Sequence, residues 1–383
     1  MKLALLSPAF PPDFDAIGQY TWQLSGALST AGHGVTVLTS LGARAAPNAD
    51  VRIVPCIRAA DDKSLKVLPK VVEEIASSQL AIDWLVVQFN PFSFGRRGFC
   101  PHLPAALATI RRQKTARVAV MFHETMVPSW PWKFLAMSGW QRPIFDWVCR
   151  LAETVFVSTE RWIPQVRRAS RKVACHHLPV GSNIPRSLLT TSQARRRLGI
   201  GDEVTVLGIF GQNHPSRPLD WIAKAAEGLR EPGRQPLIVY VGPDGDAVKK
   251  ACGAISVIDC GVQPAESVGD HLLAMDALVS PFVDGASTRR GSLIAALQHG
   301  VPVATTRREW TDRILIHANL DGLYLSAATN GTEFAGDFKR WFEGNSFRGN
   351  APQGALRDFH EEHFSWPRIV RDLVGGLSDR DTL

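Results

Sequence analysis

Two adjacent arginines stand directly before a helix that the sequence marks clearly. In "DGASTRRGSLIAALQHGVPVATT", Asp284 to Thr306, the apolar run Leu293–Leu297 reads as a buried helix face. Gly300 reads as its stop and Val301-Pro302-Val303 as the start of a strand. Packing explains those residues, but not Arg289 and Arg290 ahead of Gly291-Ser292. A helix N-terminus is itself partly positive, so a guanidinium pair there calls for a negative counterpart. Asp284 offers one within the segment, and an anionic ligand would be another. A second feature is the Pro-rich loop of "SPAFPPDFDAIGQYTW", which ends at Gly18 just before a helix. Glycine there lets backbone approach a ligand, and the helix start would offer N–H groups to a phosphate.

The elements around these residues repeat one grammar twice. Leu3–Ser7, Val35–Ser40, Trp84–Phe89, Val118–Phe122 and Val155–Ser158 are apolar and β-branched, as buried parallel strands are. Helical patterns such as Gln19–Thr30 and Ser64–Ala76 separate them. After Pro185 the alternation restarts with Val204–Phe210, Leu237–Val241, Ile255–Asp259, Ala277–Ser280 and Val301–Thr305. The pattern predicts two doubly wound α/β domains, 1–185 and 186–358, with "HLPVGSNIPRS" as the linker. Ligands of such sheets bind beyond the carboxyl ends of the strands. That directs attention to Pro8–Gly18, His123–Trp132, Gly211–Pro218, Gly242–Ala247 and Val283–Ser292, loops expected to line one central cleft.

Composition excludes several classes. The 383 residues are 45% apolar and 21% charged, as in ordinary globular chains, with no apolar run of membrane-spanning length. "MKLALLSPAFPPD" reads as a first buried strand rather than a signal peptide. Six cysteines without Cys-x-x-Cys spacing point to reduced thiols and a cytoplasmic protein, and Cys175-His176-His177 would point to opposite faces of a strand rather than gather on a metal. Asp13/Asp15 and Asp244/Asp246 read as turn residues, and no credible metal-ligand cluster accompanies the basic loops, so no metal or other cofactor is expected. Charge is uneven: residues 1–185 hold 21 Lys+Arg against 12 Asp+Glu, while the remainder is nearly balanced at 22 against 24. An anionic acceptor or peripheral contact with an anionic membrane face would suit that excess. Nucleic acid is not expected, since no nucleic-acid-binding motif accompanies the charge.

The ordered series of motifs resembles glycosyltransferase family four. It comprises the Pro-rich loop and Gly18, "AGHGVTVLT", "VLGIFGQNHPSRPLDW", "LIVYVGPDGD", "IDCGVQPAES", "GSLIAALQHGVPVATT" and "FHEEHFSW". "QFNPFSFGRRGFCPHL" and "FHETMVPSW" resemble a subgroup that also carries the Arg-Arg-Gly-Ser element. The resemblance implies a GT-B fold, two Rossmann-like domains facing a central cleft, with 359–383 crossing back to the first. It implies a retaining, metal-independent hexosyltransferase that takes a nucleoside diphosphate sugar and a hydroxyl acceptor. Cell-surface polysaccharide, glycolipid or natural-product glycosylation would be its setting. Gln212 and Arg217 stand where the family holds an arginine and a lysine on the diphosphate. His123 stands at the position of a histidine beside the sugar. Gly18, Gly211, Gly242, Val262, Arg289, Gly291, Ser292 and Leu293 fall at nucleotide-binding positions, with Arg290 placed to meet charge on the leaving diphosphate. The family's paired glutamates fall on Ser287 and Ala295, which carry no carboxylate. That departure keeps two alternatives open: a nucleotide-sugar epimerase, which would need carboxylates not evident here, and a silent nucleotide-sugar-binding subunit.

Overall fold

The structure is a computed structural model. It describes all residues except 14, 45, 46, 49, 79, 80, 128–131, 234, 346, 348–352 and 380–383. The expected loop His123–Trp132 and the segment "FHETMVPSW" therefore lie partly outside the described residues. Two compact units emerge: Met1–Pro179 with Trp366–Leu383, and Val180–Ser365.

The first unit is built on seven strands: β1 (Lys2–Leu6), β2 (Gly34–Ser40), β3 (Val51–Ile57), β4 (Trp84–Phe89), β5 (Arg117–Phe122), β6 (Thr154–Val157) and β7 (Ala174–His177). They pair in parallel in the order β3-β2-β1-β4-β5-β6-β7. The second holds six parallel strands: β8 (Val206–Phe210), β9 (Leu237–Val241), β10 (Ser256–Asp259), β11 (Ala277–Val279), β12 (Val303–Thr306) and β13 (Leu323–Ser326). Their order is β10-β9-β8-β11-β12-β13. Helices cover both faces, so central strands are apolar throughout; every residue of β4 is buried.

Two strands were not expected from the sequence: β3 and β13. Both are sheet edges; β3 carries Arg52 and Pro55 and β13 has only four residues, so neither presents a long unbroken apolar run. In both sheets the winding reverses direction once, between β1 and β4 and between β8 and β11. Loops leaving the two strands at such a point diverge and open a crevice at the carboxyl edge.

The chain's last helices serve different units. Helix Gln353–His363 packs on helix Gly291–His299, where Arg357 Nη2 donates to the His299 carbonyl at 3.0 Å. Gly300 caps that helix at φ 71°, and a Cβ there would lie 2.7 Å from the Gln353 carbonyl oxygen. Helix Trp366–Ser378 belongs to the first unit, with Thr154 Oγ1 donating to the Gly376 carbonyl and Trp366 5.3 Å from the Tyr20 ring. No described helix is long and apolar enough to cross a membrane. All six cysteines are free thiols, and no group of three or more metal-ligating side chains gathers among the described residues.

Candidate functional site

The crevice between the β8 and β11 loops gathers most of the expected residues of the second unit. After β8 the chain turns through Gly211 at φ 93°, and a Cβ on that glycine would stand 4.0 Å from the Ser292 Cβ. The glycine turn and the start of helix Gly291–His299 are therefore neighbours. Val283 N donates to the Ser216 carbonyl at 2.8 Å, tying the two loops together. Gly242, after β9, closes the floor: a Cβ there would meet Tyr240 Oη at 2.4 Å and the Gly211 carbonyl at 2.7 Å. Asp244 accepts from Asn213 N at 2.7 Å, and Gly242 N donates to the Gly261 carbonyl at 2.9 Å. Val262, beside Gly261, is exposed.

A polar chain crosses this crevice. Arg290 Nη2 donates to Ser216 Oγ at 2.9 Å and to the Asp284 carboxylate at 3.2 Å, while its guanidinium lies 4.2 Å over the Phe282 ring. Ser216 Oγ therefore accepts from Arg290 and donates onward to His214 Nδ1 at 2.7 Å, which Ser216 N also reaches at 3.1 Å. That network assigns the imidazole proton to Nε2. Burial, followed by the positive charge of Arg290 and Arg289, lowers the His214 pKa and keeps the ring neutral. Arg289 stands farther from Asp284, at 4.0 Å. Both counterparts raised by the sequence are thus relevant: Asp284 pairs with the arginines, yet the helix N-terminus beside them stays open. The N–H groups of Gly291 and Ser292 have no acceptor among the described residues, Gly291 is exposed, and a Cβ on it would meet nothing within 4 Å.

Three expected roles need correction. Arg217 is 4% exposed, and its guanidinium donates to the carbonyls of Phe210, Gly211 and Gln212 at 2.8, 3.0 and 2.7 Å. It holds the glycine turn in shape from within rather than presenting a cation to a ligand. Leu293 is fully buried and its N–H is bonded to the Arg290 carbonyl at 3.0 Å, so it offers no donor. Gly18 has no free N–H either, because Asp15 Oδ1 caps the helix by accepting from Ile17 N and Gly18 N at 2.9 and 2.7 Å. Its lack of a side chain serves close packing, since a Cβ would sit 3.0 Å from the Ala9 carbonyl. Gln212 is exposed, and its carbonyl is one of the three that Arg217 holds. Ser287 and Ala295 are buried. Next to Ser287, Thr288 is braced by Asp312, which accepts from Thr288 N and Oγ1 at 2.7 and 2.9 Å.

In the first unit His123 follows β5 at the carboxyl edge. Its Nε2 lies 2.8 Å from Gln88 Oε1 and its ring meets Tyr20 edge-on at 4.7 Å. Burial depresses its pKa to about 3, so the imidazole is neutral at physiological pH. With Nε2 donating to Gln88, Nδ1 keeps its lone pair. Sequence reading missed Gln88 and His214 for the same reason: each lies inside an element or loop read for other residues. Replacing His123 by alanine is expected to lower turnover while leaving nucleoside diphosphate affinity in place. Because the folded pKa lies below the unfolded 6.5, the unfolded chain binds the proton first, and stability is lost as pH falls from about 6.5 toward 3. His123→Gln should therefore lose less melting temperature than the native chain over that window. Identical turnover and identical pH dependence would make His123 a packing residue only.

No protein-family model matches the chain, and no curated protein matches it in sequence. Solved structures do match. Sucrose-phosphate synthase (tll1590) from Thermosynechococcus elongatus superposes with a TM-score of 0.74 at 16% identity, covering 99% of this chain and 98% of that one. Anabaena Alr3699/HepE, solved in complex with UDP and glucose, gives 0.68 at 15% identity over 99% and 100%. A putative UDP-N-acetylglucosamine 2-epimerase from Listeria monocytogenes gives 0.58 at 12% identity over 99% and 96%. With its sheets of seven and six parallel strands, the chain has the GT-B fold, two Rossmann-like α/β units, that these enzymes share.

Proposed function

We propose that this chain is a retaining glycosyltransferase, resembling family four, that moves a hexosyl group from a nucleoside diphosphate sugar to an acceptor hydroxyl without a divalent metal. One observation carries the reading. At the winding reversal of the second sheet, the unbonded N–H groups of Gly291 and Ser292 stand beside Arg289 and Arg290. This arrangement supports an anion site where such folds bind nucleotides. Likeness of fold to a UDP- and glucose-bound protein supports a diphosphate as the anion. As the sugar–phosphate bond breaks, charge grows on the diphosphate, where fixed donors stabilise it most. The acceptor oxygen forms the new bond from the same face, and its proton passes to the leaving phosphate. The basic balance of residues 1–185 supports an anionic or lipid-linked acceptor, met at an anionic surface. A silent binding subunit is the second reading, favoured by the missing carboxylates at Ser287 and Ala295.

Melting the protein with UDP, GDP, dTDP and ADP tests the site directly, since a ligand at about a hundred times its Kd adds roughly 2.7 kcal/mol of stability. One nucleotide is expected to raise the midpoint clearly. Gly291→Val, which the fold has room for, should melt like the native chain alone yet lose that rise. No shift with any nucleotide, or an undiminished shift in Gly291→Val, contradicts the site. Donor turnover that survives EDTA supports the metal-free mechanism; binding with no turnover selects the silent subunit.

A further inference from the structure

The first unit carries a second shaped feature, where the loop after β4 meets helix Leu135–Leu151. Gly95-Arg96-Arg97-Gly98 turns tightly there. A Cβ on Gly95 would lie 2.0 Å from the Phe99 carbonyl oxygen, and one on Gly98 2.3 Å from Gln141 Nε2. Between these glycines Arg97 adopts φ 55° and ψ 25°, a left-handed conformation that such side chains seldom take. Two donors from the helix hold it there: Trp140 Nε1 and Gln141 Nε2 reach the Arg97 carbonyl at 3.2 and 3.1 Å. Strain that the surroundings enforce so firmly points to use. What it creates is a shallow cavity of about 440 Å³ lined by Arg96, Arg97, Phe99 and Trp140.

The lining pairs two cations with two aromatic rings. Phe99 and Trp140 meet edge-on at 6.3 Å, and neither guanidinium has an acidic or hydrogen-bonding partner among the described residues. Large aromatic side chains are exposed on the same loop and helix: Phe99 at 52% and Trp147 at 43%. Trp140 and Trp147 are seven residues apart and share a helix face.

We propose that this rim is the docking surface for an anionic phospholipid bilayer. The forked guanidinium groups of Arg96 and Arg97 bind lipid phosphates, and Phe99, Trp140 and Trp147 enter the boundary between headgroups and acyl chains. A soluble phosphate would use only the arginines and leave the exposed aromatic side chains in water. This placement rests on the anionic-surface contact proposed above and gives it an address.

Flotation of the full chain with phosphatidylcholine vesicles, with and without phosphatidylglycerol, tests both levels. Binding is expected only with the anionic lipid, falling about tenfold or more when Arg96→Gln and Arg97→Asn are combined. Asparagine tolerates the left-handed turn. Phe99→Ser with Trp147→Ser should weaken binding as strongly, with little change in the melting midpoint, because both side chains are exposed. Neutralising Arg167, Arg168 and Arg171 with glutamine should leave binding in place. If anionic vesicles bind and only this last variant loses them, the surface reading stands and the rim is the wrong address. If native protein binds neither vesicle, or both alike, the anionic-surface reading fails and the rim with it.

Discussion

Arg290→Ala is expected to lower sugar transfer by about a hundredfold, the usual effect of removing one fixed donor from developing charge, roughly 3 kcal/mol. The structure adds a second loss. Arg290 neutralises Asp284 at 3.2 Å and orders Ser216, which in turn fixes His214. Truncation leaves the Asp284 carboxylate beside the helix N-terminus, where it opposes a diphosphate. Calorimetry should therefore show weaker nucleoside diphosphate binding as well as slower turnover. Adding Asp284→Asn to Arg290→Ala should recover more affinity than rate. Arg290→Lys should remain impaired, since an ammonium lacks the planar fork that reaches Ser216 and Asp284 together. Arg289→Ala should do less, with its partner at 4.0 Å. Native turnover in a folded Arg290→Ala protein would place the phosphates elsewhere.

Arg217→Ala should act first on stability. Its guanidinium satisfies three carbonyl oxygens of the glycine turn from a buried position. Hydrogen bonds from charged donors to buried acceptors contribute about 1.5–3 kcal/mol each, although the Gly211 carbonyl keeps Tyr240 Oη at 3.3 Å. A net loss of about 3 kcal/mol is expected, lowering the second unit's melting midpoint by several degrees. Nucleotide binding should fall in parallel, because the turn that faces Ser292 loses its shape. Arg217→Lys should fail to rescue either property, as one ammonium cannot reach three carbonyls set around a plane. A variant that melts normally but binds no nucleotide would return Arg217 to direct phosphate contact.

The contrast between these two arginines shows where sequence reading stops. The family resemblance places Arg217 near a diphosphate, and residue type beside a helix start places Arg290 there; only contact geometry separates the one that props the loop from the one at its rim. The same holds for Gly18, whose place at a helix entry suggests a phosphate cradle, although Asp15 occupies the N–H groups of Ile17 and Gly18.

What the sequence determined by itself was the repeated strand–helix alternation and hence the carboxyl-edge loops. That follows because central parallel strands such as β1, β4, β8 and β9 are covered on both faces and must be apolar along their length. Edge strands β3 and β13 carry no such requirement and stayed hidden. Only the tertiary structure decided which polar groups of those loops face one another, for a hydrogen bond between Arg290 and Ser216 joins residues 74 positions apart. Local spacing reports on neighbours within a turn or a strand. Partners brought together by the folding of a sheet leave no local trace, and the chemistry of this site is made of such partners.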